Sequence, residues 1–412
     1  MLLLYQTLTT LAEPLLLLLL RLRVRQGKED PARWLEKTGI PSLPRPLGTL
    51  VWFHAASVGE SKAVLPLITQ YLTAHEDRSA LITTGTRTAA TQLEGQLPPR
   101  AVHQFAPLDN PRWLRRFLAH WQPNALVLVE SELWPNMLQE TAKRAPVALI
   151  NARMSPRSQR RWGRFNGLAR RVFAPISTFT AQDTSSAAFL RGLTSRPVTL
   201  TGNLKFDAAP LPVEEAALRT LQQQLGSRPV WLAASTHPGE ESILVNAHTR
   251  IRERYPDALL ILAPRHPKRG AALAAQFPNS GLRSRGDSPA PDTSVYIADT
   301  LGELGLWYRA APIAFIGGSL IPHGGQNLFE PAQLGCALIT GDHLFNFAEL
   351  AAHLEAHSAL SRASDAASVA AAVKQLFDTP PLLQQQQQNA QIAAKKLQGG
   401  INATLRIVEG LT

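Results

Sequence analysis

The sequence predicts an α/β protein built from two Rossmann-like domains, and three observations carry that prediction. The chain has 412 residues, more than one hydrophobic core usually organises, so two domains are the natural division. From Thr49 onward short β-rich apolar runs alternate with helical patterns, which predicts mainly parallel sheets with helices on both faces. The alternation is interrupted once, by AAPLPVEE at 208–215, and then resumes.

In the first half the strand candidates are 50–55, 80–84, 101–105, 125–129, 147–151, 177–181 and 198–201. The second set is 230–234, 259–263, 295–298, 313–316 and 337–340, with several helices expected after Phe347. The run QQQQQNAQ within 382–398 has the composition of a polar helix face, and the Pro-, Ser-, Gly- and Asp-rich stretch 278–293 is expected to be a mobile surface loop. The expected division is an N-terminal membrane anchor over 1–27, a first Rossmann-like domain over 28–207 and a second over 208–412. Open parallel sheets bind ligands beyond the carboxyl ends of their strands, so functional residues are sought just after strands, in a cleft between two such domains.

The first twenty residues are mostly apolar and end in an unbroken leucine run from Leu15. Glu13 and Pro14 interrupt the segment, no basic residue precedes it and no small-residue cleavage site follows, so it is expected to stay on the chain. Arg21, Arg23, Arg25 and Lys28 follow at once, and such a cluster places the body of the protein on the cytoplasmic side. A span, an interfacial anchor and an amphipathic helix packed on the domain all fit this pattern. Forty-two Lys and Arg against 31 Asp and Glu give +11, which favours an anionic partner. The single cysteine, Cys336, excludes an internal disulfide framework, and no Cys/His spacing suggests zinc.

Several stretches place chemistry-bearing residues after strands. In VWFHAASVGE, Glu60 follows a glycine at a helix start, where it could serve as a general base toward an acceptor hydroxyl. The S-x-x-E spacing from Ser57 is equally that of a capping box, in which Glu60 caps its own helix. In ALVLVESELWPN, Glu130 and Glu132 end an apolar strand, as active-edge carboxylates or as ordinary helix N-terminal acids. Seven arginines and no acidic residue lie from Arg153 to Arg171, with Trp162 and Phe165 among them. That stretch suits phosphorylated lipid headgroups, as it would RNA, and the leucine-rich N-terminus favours headgroups.

TGNLKFD places Lys205 beside the linker, a position also open to a plain solubilising charge. Arg265 and His266 of APRHP follow a strand and suit a phosphate, or form a basic turn. IGGSLIPHGGQNLFEP puts Gly317 and Gly318 after a strand, and Gly324 through Asn327 at an expected helix start whose amides could cradle an anion. Glu330 lies one turn further, where a carboxylate could take both hydroxyls of a ribose. The chain lacks G-x-x-x-x-G-K-[ST], which argues against a Walker ATPase.

Together FHAASVGE, LITTGT, FAPLDNP, VESELWPN, NARMS, TGNLKFD, APRHP, ADTLGELGLWY, GGSL, GGQNLFEP and GDHLFNF resemble the Kdo transferases of Gram-negative bacteria. These are GT-B glycosyltransferases that move 3-deoxy-D-manno-octulosonic acid (Kdo) from CMP-Kdo to a lipid A precursor, lipid IVA, at the inner membrane. The resemblance implies that Glu60 is the catalytic base and that Glu130 and Lys205 stabilise the transition state. It carries CMP contacts onto Pro264 and Arg265, onto Leu301, Gly302 and Glu303, and onto Asn327, Leu328, Phe329 and Glu330. It implies membrane lipid rather than nucleic acid as the partner, an inverting displacement, and neither metal nor cofactor. The sequence departs from the family where Leu328 and Phe329 stand in place of a common Pro-Leu.

Overall fold

The computed structural model describes residues 1–277 and 279–412. Two fully parallel sheets organise the chain. The first contains β1 (Thr49–His54), β2 (Arg78–Thr84), β3 (Ala101–Phe105), β4 (Ala125–Val129), β5 (Val147–Ala152), β6 (Thr178–Ala181) and β7 (Val198–Leu200), in the order β3-β2-β1-β4-β5-β6-β7. The second contains β8 (Val230–Thr236), β9 (Leu259–Pro264), β10 (Ser280–Leu282), β11 (Val295–Ile297), β12 (Ile313–Ile316), β13 (Ala337–Thr340) and β14 (Leu360–Arg362), in the order β10-β11-β9-β8-β12-β13-β14. In each sheet the strand order reverses beside the first strand, between β1 and β4 and between β8 and β12. Loops diverge at such a point and leave room for a ligand.

Strands covered on both faces read as continuous apolar runs, and β1 illustrates why. Leu50 and Trp52 pack with Leu114, Phe117 and Trp121 of the helix Pro111–Trp121, while Val51, Phe53 and Ala55 pack with Val64, Leu67 and Ile68 of the helix Val58–Ala74. All twelve expected strands are present, with ends shifted by no more than two residues. The polar glutamine run is helical, within Pro380–Lys396.

Three expectations are corrected. The loop expected over 278–293 contains edge strand β10, which pairs with β11 through Ser280, Gly281 and Leu282; Pro278 lies outside the described residues. The chain divides into one compact unit of Met1–Ala208 with Leu397–Thr412 and a second of Ala209–Lys396, so 208–412 is not one domain. The last helix, Gly400–Glu409, returns to the first unit because Ile401 and Val408 join its core and the Asp207 carboxylate accepts from the Gly399 and Ile401 amides at 2.5 and 2.6 Å. Third, the glycine-rich stretch at Gly324–Asn327 is not a helix start: the helix there is Phe329–Gln333, five residues long.

The N-terminal segment forms two helices, Leu2–Leu11 and Glu13–Arg25, bent by 58° at Ala12. Among the described residues no single helix is long and apolar enough to cross a membrane; this pair passes only when taken together. One side is tied to the first unit by hydrogen bonds: Tyr5 Oη to Asp109, Asn110 Nδ2 to the Thr9 carbonyl and Trp113 Nε1 to Glu13, at 2.9, 2.8 and 3.1 Å. Leu3, Leu4, Leu8, Leu11, Leu15 and Leu18 are exposed.

Candidate active site

The first unit gathers its candidate residues at the switch point between β1 and β4. Ser57 caps the helix Val58–Ala74, accepting from the Glu60 amide at 3.3 Å while its hydroxyl donates to Glu60 Oε1 at 2.7 Å. The second carboxylate oxygen accepts from the Ala56 amide at 2.9 Å. Ser57 thus caps the helix while the Glu60 side chain returns to the Ala56 amide rather than to that of Ser57, and this fixes the Glu60 carboxyl, only 8% exposed, at the carboxyl end of β1. Burial pushes its pKa above the usual carboxylate range; the Ser57 hydrogen bond opposes the shift, and the negative charges of Glu132 and Glu130 add to it. A carboxyl so poised is matched to general-base work.

Glu130 follows β4 directly and has φ of +60°. The left-handed region is costly for a residue with a side chain, and such strain concentrates at functional sites. This turn aims the Glu130 carboxylate at Lys205, whose Nζ lies 2.8 Å from Oε1. Lys205 is carried by the short turn Leu204–Asp207, and a Cβ placed on Gly59 would lie 4.0 Å from its ammonium. Glu60, Glu130 and Lys205 are thus neighbours. Asn151, at φ +50°, fixes the same turn by accepting from the Leu204 amide at 3.1 Å. Glu132 hydrogen-bonds Trp134 Nε1 at 2.8 Å. His54, at the end of β1, is held neutral because burial lowers its pKa to about 4.

The second unit builds its candidate site where β8, β9 and β12 end. Ser235 bulges at φ +56°, and Gly317 fits against it because a Cβ there would sit 2.6 Å from the Ser235 carbonyl oxygen. The amides of the following loop are occupied. Gly318, Ser319 and Leu320 donate to the buried Glu240 carboxylate at 2.6, 2.9 and 3.0 Å. The protein's own carboxylate thus fills the loop after β12, and in the expected anion cradle at Gly324–Asn327 the Gly325 amide turns inward to the Gly318 carbonyl at 2.7 Å.

Cationic side chains supply what these amides do not. Arg265 follows β9, exposed and with no ion-pair or side-chain hydrogen-bond partner among the described residues. His237, after β8, has its ring 3.8 Å from that of His323 and 6.0 Å from that of His266. Burial lowers the His237 pKa, and His323, His266 and Arg265 lower it further while Glu241 opposes them. Pro264 is buried at the end of β9, whereas the Leu301 side chain is 82% exposed. Arg283 grips Glu303 through two hydrogen bonds of 2.6 and 3.1 Å, and Thr300 adds a third. Leu328 and Phe329 turn their side chains into the core, leaving Asn327 and Glu330 near the surface. Burial raises the Glu330 pKa, opposed by its hydrogen bond with Asn327.

The basic stretch folds into helices Pro156–Arg164 and Asn166–Phe173. All seven arginines are exposed, and none makes an ion pair among the described residues.

Comparison with known proteins follows the same residues. Residues 32–208 match the family described as 3-deoxy-D-manno-octulosonic-acid transferase (kdotransferase). A probable mitochondrial 3-deoxy-D-manno-octulosonic acid transferase of Arabidopsis thaliana is 37% identical, over 93% of this chain and 90% of that protein. The chain belongs to the Kdo transferase family. A Haemophilus influenzae member is 35% identical over 84% of this chain and 83% of its own length. A glycosyltransferase structure from Rickettsia africae shares the fold, with a TM-score of 0.57 over 89% of this chain and 98% of that one, at 12% identity. The architecture of this Kdo transferase family member is accordingly GT-B.

Sequence reasoning missed Glu240, His237, His323 and Arg283. HPGEE after β8 does carry a signal, a glycine at φ +98° opening a helix, but beyond the His237 amide Glu240's partners lie 78 to 80 residues away.

Proposed function

We propose that this enzyme is an inverting transferase that moves Kdo from CMP-Kdo to lipid IVA in lipopolysaccharide synthesis, with Glu60 as general base. The observation that carries the reading is the Glu60 carboxyl, oriented by Ser57 and Ala56, raised in pKa, and adjacent to the Glu130–Lys205 pair at a switch point. Glu60 would take the proton of an acceptor hydroxyl as that oxygen attacks the anomeric carbon of Kdo. The bond from that carbon to the phosphate oxygen breaks, CMP leaves, and a single displacement inverts the centre. Arg265 would meet the charge growing on the departing phosphate, and Glu330 and Asn327 would hold the ribose. The exposed backbone at Leu301 and Gly302 would face the base, with Glu303 held in place by Arg283.

Membrane attachment is part of the same reading. The leucine face and the unpaired arginines support seating at the cytoplasmic surface of the inner membrane, against acyl chains and anionic headgroups respectively. The bonds of Tyr5, Thr9 and Glu13 to the first unit favour an interfacial position, because polar tethers and a carboxylate are costly within hydrocarbon.

The test is transfer of radiolabelled Kdo, from CMP-Kdo generated in situ, to tetraacylated lipid A precursor. Wild type should transfer, CMP should inhibit and UDP should not, and folded Glu60→Ala should lose about 10²–10⁴-fold in turnover. Near-normal turnover by that variant would remove Glu60 from the base role.

A further inference from the structure

We infer that His237 and His323 form a carboxylate subsite that recognises the acid group of the donor sugar, beside a phosphate site at Arg265. This rests on the proposed use of CMP-Kdo as donor. Such a donor carries two anionic groups on its anomeric carbon, the phosphate ester and the sugar carboxylate, so its site needs two adjacent centres of positive charge.

The second unit supplies them from three neighbouring strands. Arg265 follows β9, His237 follows β8, and His323 lies in the loop after β12, the order in the sheet being β9-β8-β12. Adjacent strands lie about 4.8 Å apart, so Arg265 and the histidine pair are offset by a spacing on the scale of two groups sharing one carbon. The backbone is not a competing receptor, since Glu240 takes the Gly318, Ser319 and Leu320 amides. Nor does an internal carboxylate occupy the pair, because Glu241, the acid closest in influence on His237, is ion-paired with Arg269.

The histidine pair is built rather than incidental. Gln326 Nε2 donates to His237 Nε2 at 2.9 Å, which places the ring proton on Nδ1 and fixes the ring against His323. With the site empty, desolvation and the neighbouring cations favour the neutral imidazole at His237. An arriving carboxylate reverses that balance, favouring imidazolium and a charge-assisted hydrogen bond once the Gln326 amide turns its oxygen to accept from Nε2. A neutral sugar offers no such compensation, so the pair discriminates for an acidic one.

The experiment compares His323→Gln and His237→Gln with wild type in the transfer assay, reading KM for CMP-Kdo and the inhibition constant of CMP, which carries the phosphate but no sugar carboxylate. Melting temperatures check folding, and exposed His323 is the safer position. The expected result is a KM for CMP-Kdo raised about ten- to hundredfold, with CMP inhibition within twofold of wild type. Unchanged KM in both folded variants overturns the inference. A parallel weakening of CMP and CMP-Kdo also overturns it, and assigns the histidines to the phosphate. If wild type itself neither transfers Kdo nor is inhibited by CMP, the donor reading fails and the subsite falls with it.

Discussion

Lys205 Nζ sits 2.8 Å from Glu130 Oε1, placing a cation against one of the two carboxylates that raise the Glu60 pKa. Glu132 and Glu130 both push the Glu60 pKa upward, and a nearby ammonium opposes such a shift. Lys205→Met should therefore raise the Glu60 pKa further. A base works only when deprotonated, so the acidic limb of the kcat/KM profile should move to higher pH than in wild type. An unmoved limb, with reduced rate at every pH, would assign Lys205 to another role.

The backbone at Glu130 yields a second expectation. At φ +60° a glycine is unstrained while an alanine is not. Both Glu130→Gly and Glu130→Ala remove the carboxylate and should impair transfer. Chemical denaturation should find the glycine variant more stable than the alanine variant by about 1 kcal/mol. Equal stabilities would mean that the turn relaxes.

Glu240 supports a loop it does not resemble in sequence. Glu240→Ala leaves the His237, Gly318, Ser319 and Leu320 amides without an acceptor and should destabilise the second unit by at least about 3 kcal/mol. Glu240→Gln keeps the shape and one good acceptor, and should fall between alanine and wild type. The measurement is urea denaturation of the isolated 209–396 segment, read by Trp231 and Trp307 fluorescence.

The leucine face predicts a separable membrane function. Leu4→Glu with Leu11→Glu places two charges on an exposed surface, and should reduce sedimentation with anionic phospholipid vesicles about tenfold or more while leaving the melting temperature unchanged. Undiminished vesicle binding would transfer the attachment to the arginine helices.

Much of this was legible in the sequence because parallel strands buried on both faces are continuous apolar runs, as in ALVLV of β4 and LLILAP of β9. The two strands not anticipated, SGL and LSR, are three-residue sheet edges, too short and too polar for periodicity to register. At the site, SVGE was legible as a helix cap, and that cap is what orients the Glu60 carboxylate. The glycine loop misled because glycine spacing records backbone freedom and not what its amides bind. Glu240 answers that question from far along the chain, as do the rings that meet at His237.

The return of the last helix to the first unit makes that unit discontinuous in sequence. During synthesis residues 209–396 of the second unit are all made before Ile401 and Val408 are added to the core of the first. The unit that holds Glu60 thus receives its last core residues only after the second is whole, so a stop codon between Lys396 and Gly400 would leave the second unit intact and the first short of part of its core.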